Sequence, residues 1–474
     1  MTGSSRPALL GWRWAASASI GVVLLLSGCA GLDRQPVALH PYSSSPAGAR
    51  AERPPLPEIT EASGVGSYVR YALLNNPGVE AAFQGYIAAM ERIPQVTALP
   101  DPRFSYRHYI QEVETRVGPQ ENAFGLSQTF PWFGKLNLQG EVASNATEAL
   151  RERFEAKKDA LVAEVIDAYL EYYHLGRAIA VVQGNRDLVQ HLERVARTRY
   201  GAGAASHPDV VRAQVELGTL ENQLASLKDR TGPLRARLNA ALNRPQATAI
   251  PFPTEALVVP VGANDADVLS WIALGNPELR ALQHEMESAR AAAERAERDF
   301  YPDLTLGVDY IATGDARMSG VSGSGDDAVM ASVSFSIPVA RDKYRAAVRE
   351  AQARRMSAAL RRDDLMNKLQ AEAATALFRL RDAERQIGLY QDTLLPKARE
   401  SLNATQSAYS SGSATFTDLV DAQRVLLSFE LSYERSLTDH GQWRAALERL
   451  VGRDLPASKT PEAPQKEQED GTDR

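Results

Sequence analysis

Apolar and small side chains recur in alternating steps of three and four residues through the first half of the chain. The series runs through Leu161, Val165, Ala168, Tyr172, Leu175, Ile179 and Val182. A 3.5-residue period is typical of the seam of a coiled coil. The stretch between Pro131 and Pro208 contains no proline, so we expect one helix from about Lys135 to Tyr200. At 1.5 Å per residue such a helix is a rod of roughly 100 Å, much longer than a compact globular core can use.

A second stretch of similar length and character runs from 340 to 409, and Pro396 alone interrupts it. A turn with glycine follows each long stretch, and a returning helical pattern of roughly 37 residues follows each turn. In the first returning pattern we expect Gly232-Pro233 to bend the helix. A helical pattern of roughly 23 residues precedes each pair of strands. The shorter helices, stacked end to end, would match the long rod and run beside it.

Four short stretches alternate apolar and polar residues or come close to doing so: 103–112, 122–130, 303–311 and 329–337. The first is the least regular, because Arg107 and His108 are adjacent. Lengths near ten residues and aromatic residues at the ends match transmembrane β-strands, although a half-buried sheet on a soluble core is also compatible with the pattern. Four strands cannot close a barrel, and an open edge cannot lie in lipid. We therefore expect an oligomer; two copies supply eight strands and three supply twelve, and the pattern does not choose.

The chain also repeats itself. LNNP at 74–77 returns as LGNP at 274–277, and Pro131 with Lys135 returns as Pro338 with Lys343. Other pairs agree, and the offset drifts only from 200 to 209 residues. We therefore predict a tandem duplication with repeats at 61–243 and 265–452, a proline-rich linker at 244–264 and a disordered polar tail at 453–474.

The N-terminus is predicted to be a signal peptide over 1–28. Its apolar run ends at Cys29, the one cysteine of the chain, in a sequence that resembles a bacterial lipobox. An ordinary signal peptide that happens to contain cysteine is the alternative. We predict that Cys29 is lipidated with several acyl chains, palmitate among them, and Ala30 favours the outer membrane as its address. Residues 29–60 are rich in proline, which predicts an extended tether.

Composition and motifs exclude several other functions. The formal net charge is −6, and no basic excess suggests nucleic acid as a partner. The seven histidines are scattered, and His284 lacks the second histidine of a zinc-binding helix. The chain has no phosphate-binding loop, dinucleotide fingerprint or nucleophile elbow. We therefore expect no metal centre, no cofactor and no enzymatic activity.

The duplication, the order of helices and strands and the turn motifs resemble the TolC-like outer-membrane efflux family over nearly all of 61–452. The most specific segment is 409–422, YSSGSATFTDLVDA, which is similar to the family's periplasmic tip, and 200–211 is its first-repeat copy. The resemblance implies a mainly α fold with a membrane β-barrel: a homotrimer with twelve strands in the outer membrane and a helical tunnel across the periplasm. It also implies a passive exit duct that docks to a periplasmic adaptor and an inner-membrane pump, expected to be of the resistance-nodulation-division type.

The resemblance assigns roles to individual residues at this tip. Asp418 and Asp421 match the family's acidic rings at the tunnel entrance; the alternative for Asp418 is a cap on the returning helix. Tyr409 and Asp209 match a pair that holds the tip closed. The family's basic partner in that network falls at Ala414, so either the latch is altered or another residue supplies the charge.

The turn residues Tyr200, Gly203 and Gly412 are the expected docking positions for the adaptor. The segment from 130 to 135, FPWFGK, resembles the barrel-to-tunnel junction of heavy-metal-type members and makes metal ions one candidate cargo. The main alternative function is a periplasmic adaptor lipoprotein, which would have one coiled-coil hairpin between compact β-domains. An envelope enzyme is a further alternative, but no convergent polar site supports it.

Overall fold

The structure is a computed structural model that describes residues 55–203, 205–256 and 258–457. The predicted signal peptide, Cys29, nearly all of the tether and most of the C-terminal tail lie outside these residues. The elements of the first half are α1 Val65–Asn75, α2 Pro77–Thr97, β1 Arg103–Thr115, β2 Gly118–Phe130, α3 Lys135–Gly201, α4 His207–Asp229 and α5 Thr231–Ala241. The second half has α6 Asp265–Gly275, α7 Pro277–Arg298, β3 Leu304–Thr313, β4 Ala328–Phe335, α8 Arg341–Leu389, a π-helical turn Tyr390–Leu394, α9 Leu395–Ser411 and α10 Phe416–Val451.

The long rod predicted from the seam is α3, a single helix of 67 residues. Gly134 precedes it with φ +86°, a left-handed conformation that glycine adopts without strain. The seam residues Leu161, Val165 and Tyr172 are buried along it. Both α2 and the α4–α5 pair pack against α3, so the predicted arrangement of shorter helices beside the rod is confirmed.

The same cap starts the second helix of each half. The Asn76 side-chain oxygen accepts hydrogen bonds from the backbone N–H groups of Gly78 and Val79, at 2.8 and 3.2 Å. Asn276 does the same for the first turn of α7. A proline follows each asparagine at the first helical position, where its missing N–H costs nothing. The short motif that revealed the repeat is therefore a helix-start signal used twice.

The interruptions expected at Pro396 in the second long stretch and at Gly232-Pro233 in the first returning helix are both present. Leu395 donates its N–H to the carbonyl of Tyr390, five residues back, in the π turn just before Pro396. Proline cannot donate in the helical ladder, and an extra residue in the turn accommodates the mismatch. In the first half the break lies at Arg230, between α4 and α5, three residues before Pro233.

The strands form one antiparallel sheet in the order β1-β2-β3-β4. One face carries an exposed aromatic row in which Tyr106, Phe124 and Tyr310 occupy paired positions, with ring centroids 5.2 and 6.5 Å apart. The opposite face is polar, and there Arg107 forms a 2.7 Å ion pair with Asp309. This two-faced pattern is the one expected of strands between lipid and a water-filled lumen.

The register of β1 and β2 shifts between His108 and Val113, just beyond the adjacent Arg107 and His108. Within the described residues, β1 and β4 each lack a strand partner on their outer edge. Unpaired edges are sites for pairing with another chain. In the described part of the chain, no helix combines the length and the apolar character needed to cross a membrane.

Candidate functional site at the helical tip

Two tight turns reverse the chain at the end of the long helices. In the first, Gly203 has φ +73° and donates its N–H to the carbonyl of Tyr200 at 3.0 Å. In the second, Gly412 has φ +85° and donates to the carbonyl of Tyr409 at 3.1 Å. Both conformations favour glycine. The sequence match between the two turns is therefore a match of backbone geometry.

A capping box starts the helix that follows each turn. Asp209 accepts a hydrogen bond from the backbone N–H of Ser206 at 3.1 Å. Asp418 accepts from the backbone N–H and the hydroxyl of Thr415, at 2.8 and 2.7 Å, and Thr415 in turn accepts from the N–H of Asp418. Such reciprocal bonds satisfy two N–H groups that a helix start leaves free. Asp418 thus caps the start of α10, which was one of the two roles predicted for it.

The electrostatics of the cap follow from these bonds. The Thr415 hydroxyl and then its backbone N–H stabilise the carboxylate and hold the pKa of Asp418 below its ordinary value. Asp418 and Asp421 are both exposed, three residues apart on the first turns of α10. Asp421 lies 3.9 Å from a guanidinium nitrogen of Arg424, whose main partner is the buried Glu216 at 2.5 Å. Two carboxylates therefore project from the start of α10 into solvent.

Tyr409 is buried beneath the second turn, with 5% of its surface exposed. Its ring packs edge-on against Phe416, 5.6 Å away. Burial raises the pKa of the Tyr409 phenol, the Asp209 carboxylate raises it further, and Arg199 lowers it. Among the described residues the phenol oxygen has no hydrogen-bond partner. The structure therefore brings Tyr409 into the electrostatic range of Asp209 without a direct hydrogen bond between them.

Arg199 is the functional candidate that the sequence analysis missed. Its guanidinium lies over the Tyr409 ring, 4.9 Å from the centroid, and donates to the backbone carbonyls of Tyr409 and Ser410. Ala414, where the family's basic residue falls, instead contributes a backbone N–H that reaches the carbonyl of Ala408. The sequence did offer a signal for Arg199, because it is a basic residue in the last turn of a predicted helix, one position before the Tyr200 motif.

The remaining predicted residue, Tyr200, lies on the outside of the first turn. It is 48% exposed, and its ring stands edge-on to His207 at 5.6 Å. Near these turns, Arg212 of α4 donates a hydrogen bond to Thr417 of α10. This bond links the two helices that follow the turns. Within 55–203, 205–256 and 258–457, no group of three or more histidine, cysteine or acidic side chains is arranged to hold a metal ion.

Comparison with known proteins gives one family for this chain. The model of the outer membrane efflux protein family matches it twice, over residues 69–244 and 268–453. Nodulation protein T of Rhizobium leguminosarum bv. trifolii is 22% identical over 415 residues, which cover 81% of this chain and 85% of that protein. The cobalt-zinc-cadmium resistance protein CzcC of Cupriavidus metallidurans is 25% identical over 388 residues, with 76% and 83% covered.

The fold agrees with a solved structure. The crystal structure of the outer membrane protein VceC from Vibrio cholerae superposes with a TM-score of 0.67, at 16% identity, over 83% of this chain and 97% of that one. The two family matches together span well over half of the sequence, one in each half. They coincide with the two successive sets of helices and strands described above. The chain belongs to the outer membrane efflux protein family.

Proposed function

We propose that this outer-membrane efflux channel works as a homotrimer, the exit duct of a tripartite pump. Three copies supply twelve strands, which close one barrel in the outer membrane. The helices extend from the barrel into the periplasm. There the tip turns at Tyr200, Gly203 and Gly412 dock to a periplasmic adaptor, which links the duct to an inner-membrane pump of the resistance-nodulation-division type.

One observation carries this proposal. In the described part of the chain, a four-stranded sheet with two unpaired edges is joined directly to helices of about 100 Å. The open edges require further copies in lipid, and helices of that length suit a duct that crosses an aqueous compartment. The adaptor alternative has no support from the family match, because the matched model describes outer membrane efflux proteins.

The tip is the proposed gate. Around a threefold axis, Asp418 and Asp421 of three chains place six carboxylates at the entrance, which favours cations and repels the helices from one another. Arg199, Tyr409 and Asp209 form the latch that offsets this repulsion. Arg199 supplies the positive charge that Ala414 lacks, and it does so from α3 rather than from the turn before α10.

Transport through the duct is passive in this proposal, with no catalysis and no cofactor. The name of CzcC, a cobalt-zinc-cadmium resistance protein, supports divalent metal ions as a cargo class, and an acidic entrance suits them. The proposed lipid on Cys29 anchors the mature N-terminus in the outer membrane. Multiple acyl chains hold firmly because each buried methylene contributes about 0.8 kcal/mol.

The decisive experiment is native mass spectrometry of the full-length protein in detergent, followed by recording in planar bilayers. We expect a trimer whose mature chain begins at acylated Cys29, and a cation-selective channel that multivalent cations block from the tip side. A monomer or dimer as the main species contradicts the duct. An unmodified Cys29 contradicts only the anchor. Loss of metal resistance on deletion of the gene, with drug resistance unchanged, is the outcome expected for metal cargo.

A further inference from the structure

The surface through which one copy contacts the next follows from how the helices leave the sheet. Helix α2 enters the sheet through β1, and α8 leaves it through β4, and these two strands are the sheet edges. Five residues separate Thr97 from Arg103, and five separate Phe335 from Arg341. If β4 of one copy pairs with β1 of the next, α8 of the first copy and α2 of the second must therefore run side by side, both beginning at the same distance from the sheet.

Both helices present an unpartnered stripe with the coiled-coil spacing. On α2 it comprises Ala81, Gln84, Ala88, Glu91 and Gln95; on α8 it comprises Ala346, Arg349, Ala353, Met356 and Leu360. Each series advances in steps of three, four, three and four residues, and every member is exposed. Met356 and Leu360 are 62% and 61% exposed. Apolar residues at this spacing, such as Met356 and Leu360, normally pack against another helix.

The two stripes are complementary when the helices run in opposite directions, as the topology requires. Counted from the sheet, Gln95 then meets Ala346, Ala88 meets Ala353, and Ala81 meets Leu360. The small Ala81 of α2 thus faces the large Leu360 of α8, and the small Ala346 of α8 faces Gln95 of α2. Between these two pairs, Ala88 and Ala353 let the helices approach closely. Glu91 meets Arg349 in the same register, and neither of these charges has an ion-pair partner among the described residues.

The chain contains an internal template for this contact. Within one copy β2 pairs with β3, and α3, which leaves β2, packs against α7, which leads into β3. There Arg280 of α7 lies 2.8 Å from Glu152 of α3. Position 80 of the first repeat is equivalent to 280 of the second. Position 360 of the second repeat is equivalent to 152 of the first, at the same offset that relates Lys343 to Lys135. The internal contact therefore places position 80 beside 360, within one residue of the register read from the stripes.

We propose that α8 of one copy packs antiparallel against α2 of the next along these two stripes, with Glu91 paired to Arg349 across each boundary. The inference rests on the proposed oligomeric duct and adds its register. The same heterologous contact repeated around the axis closes a ring. It continues the β4–β1 pairing from the barrel into the helical region.

Disulfide cross-linking tests the register in the full-length protein. The double variant Ala88→Cys with Ala353→Cys should form covalent dimers and trimers on mild oxidation, because facing positions bring Cα atoms within disulfide range. The matched control is Ala88→Cys with Arg355→Cys, two residues further along α8 and on nearly its opposite side, which should remain monomeric on denaturing gels. Each single variant provides the background.

The outcomes separate this inference from the proposed function. A native trimer whose Ala88–Ala353 pair does not cross-link, or whose Arg355 control cross-links as well, overturns the register and leaves the duct intact. A protein without native oligomers overturns both.

A charge exchange gives a second, independent readout. Glu91→Arg and Arg349→Glu should each lower the temperature at which the trimer dissociates in detergent, because each places like charges across three boundaries. The combined variant should recover most of the loss. If the dissociation temperature of the combined variant falls by the sum of the two single decreases, the two residues do not meet. That result overturns the pairing.

Discussion

Arg199 lies with its guanidinium 4.9 Å from the ring centroid of Tyr409 and donates hydrogen bonds to the last carbonyls of α9. One residue is in the last turn of α3 and the other in the last turn of α9, so the contact ties the ends of the two long helices together. A cation is favourable at a helix C-terminus, and the aromatic face adds a cation–π attraction. In the proposed gate, this contact takes the place that the resemblance gives to a basic residue at Ala414.

Replacement of this arginine should open the tip. Arg199→Ala removes the cation–π contact and the hydrogen bonds to α9, a loss of about 1–2 kcal/mol at a partly exposed site. A loss of that size shifts a two-state equilibrium by roughly 5- to 30-fold. We expect the open fraction in single-channel recordings to rise accordingly. The control is Arg194→Ala, an exposed arginine on the same helix; equal traces for both variants would show that Arg199 does not hold the tip.

The exposed acidic pair at the start of α10 should control block by multivalent cations. Asp418→Asn with Asp421→Asn removes six charges from a trimer, yet the amide of residue 418 keeps an oxygen that can accept the capping bonds. Block by trivalent cations from the tip side should weaken at least tenfold, while the trimer persists. Glu221→Gln, an exposed acid on α4, serves as the control for a change of net charge. Undiminished block in the double variant would leave Asp418 as a helix cap alone.

The cap itself has a pH signature. Because the pKa of Asp418 is lowered in the folded chain, its contribution to the helix start is present above the ordinary aspartate value of about 3.9 and is lost as pH falls through the lowered value. Hydrogen exchange in the first turn of α10, corrected for intrinsic rates, should therefore accelerate below about pH 4. Asp418→Asn should remove this pH dependence, and an unchanged pH profile in that variant would assign the effect to another group.

Much of this architecture was predictable because local signals and long-range packing agree. The 3.5-residue seam gave α3, and the asparagine–proline starts gave α2 and α7. Asn76 caps through its own side chain, a purely local interaction, which is why sequence alone locates it. The period-two alternation gave four strands whose ends lie within a few residues of the expected positions.

The role of Arg199 was not predictable in the same way. Its partners, Tyr409 and Ser410, lie about 210 residues further along the chain, and the contact arises only when α3 and α9 end at the same height. The π turn before Pro396 was also missed, since a proline signals an interruption but not its form. The two roles of Asp418 remained open because a cap and an entrance charge require the same residue type at the same position.

The last prediction concerns the outer end of the sheet, where Gly118 opens β2 with φ +137°. A Cβ at this position would lie 1.7 Å from the backbone carbonyl oxygen of Gly314, at the end of β3. Gly320 provides a matched control, because it also has a positive φ, +82°, but its Cβ would meet nothing within 4 Å.

Gly118→Ala should therefore destabilise the barrel far more than Gly320→Ala. A non-glycine residue in such a conformation costs on the order of 1–3 kcal/mol, and both variants carry that cost. Only Gly118→Ala must also displace backbone, which breaks the hydrogen bond from Gly314 to Pro119 that joins the β1–β2 turn to β3. The temperature at which the trimer dissociates on semi-denaturing gels measures the difference. Equal values for the two variants would mean that the close approach of Gly118 to β3 does not stabilise the sheet.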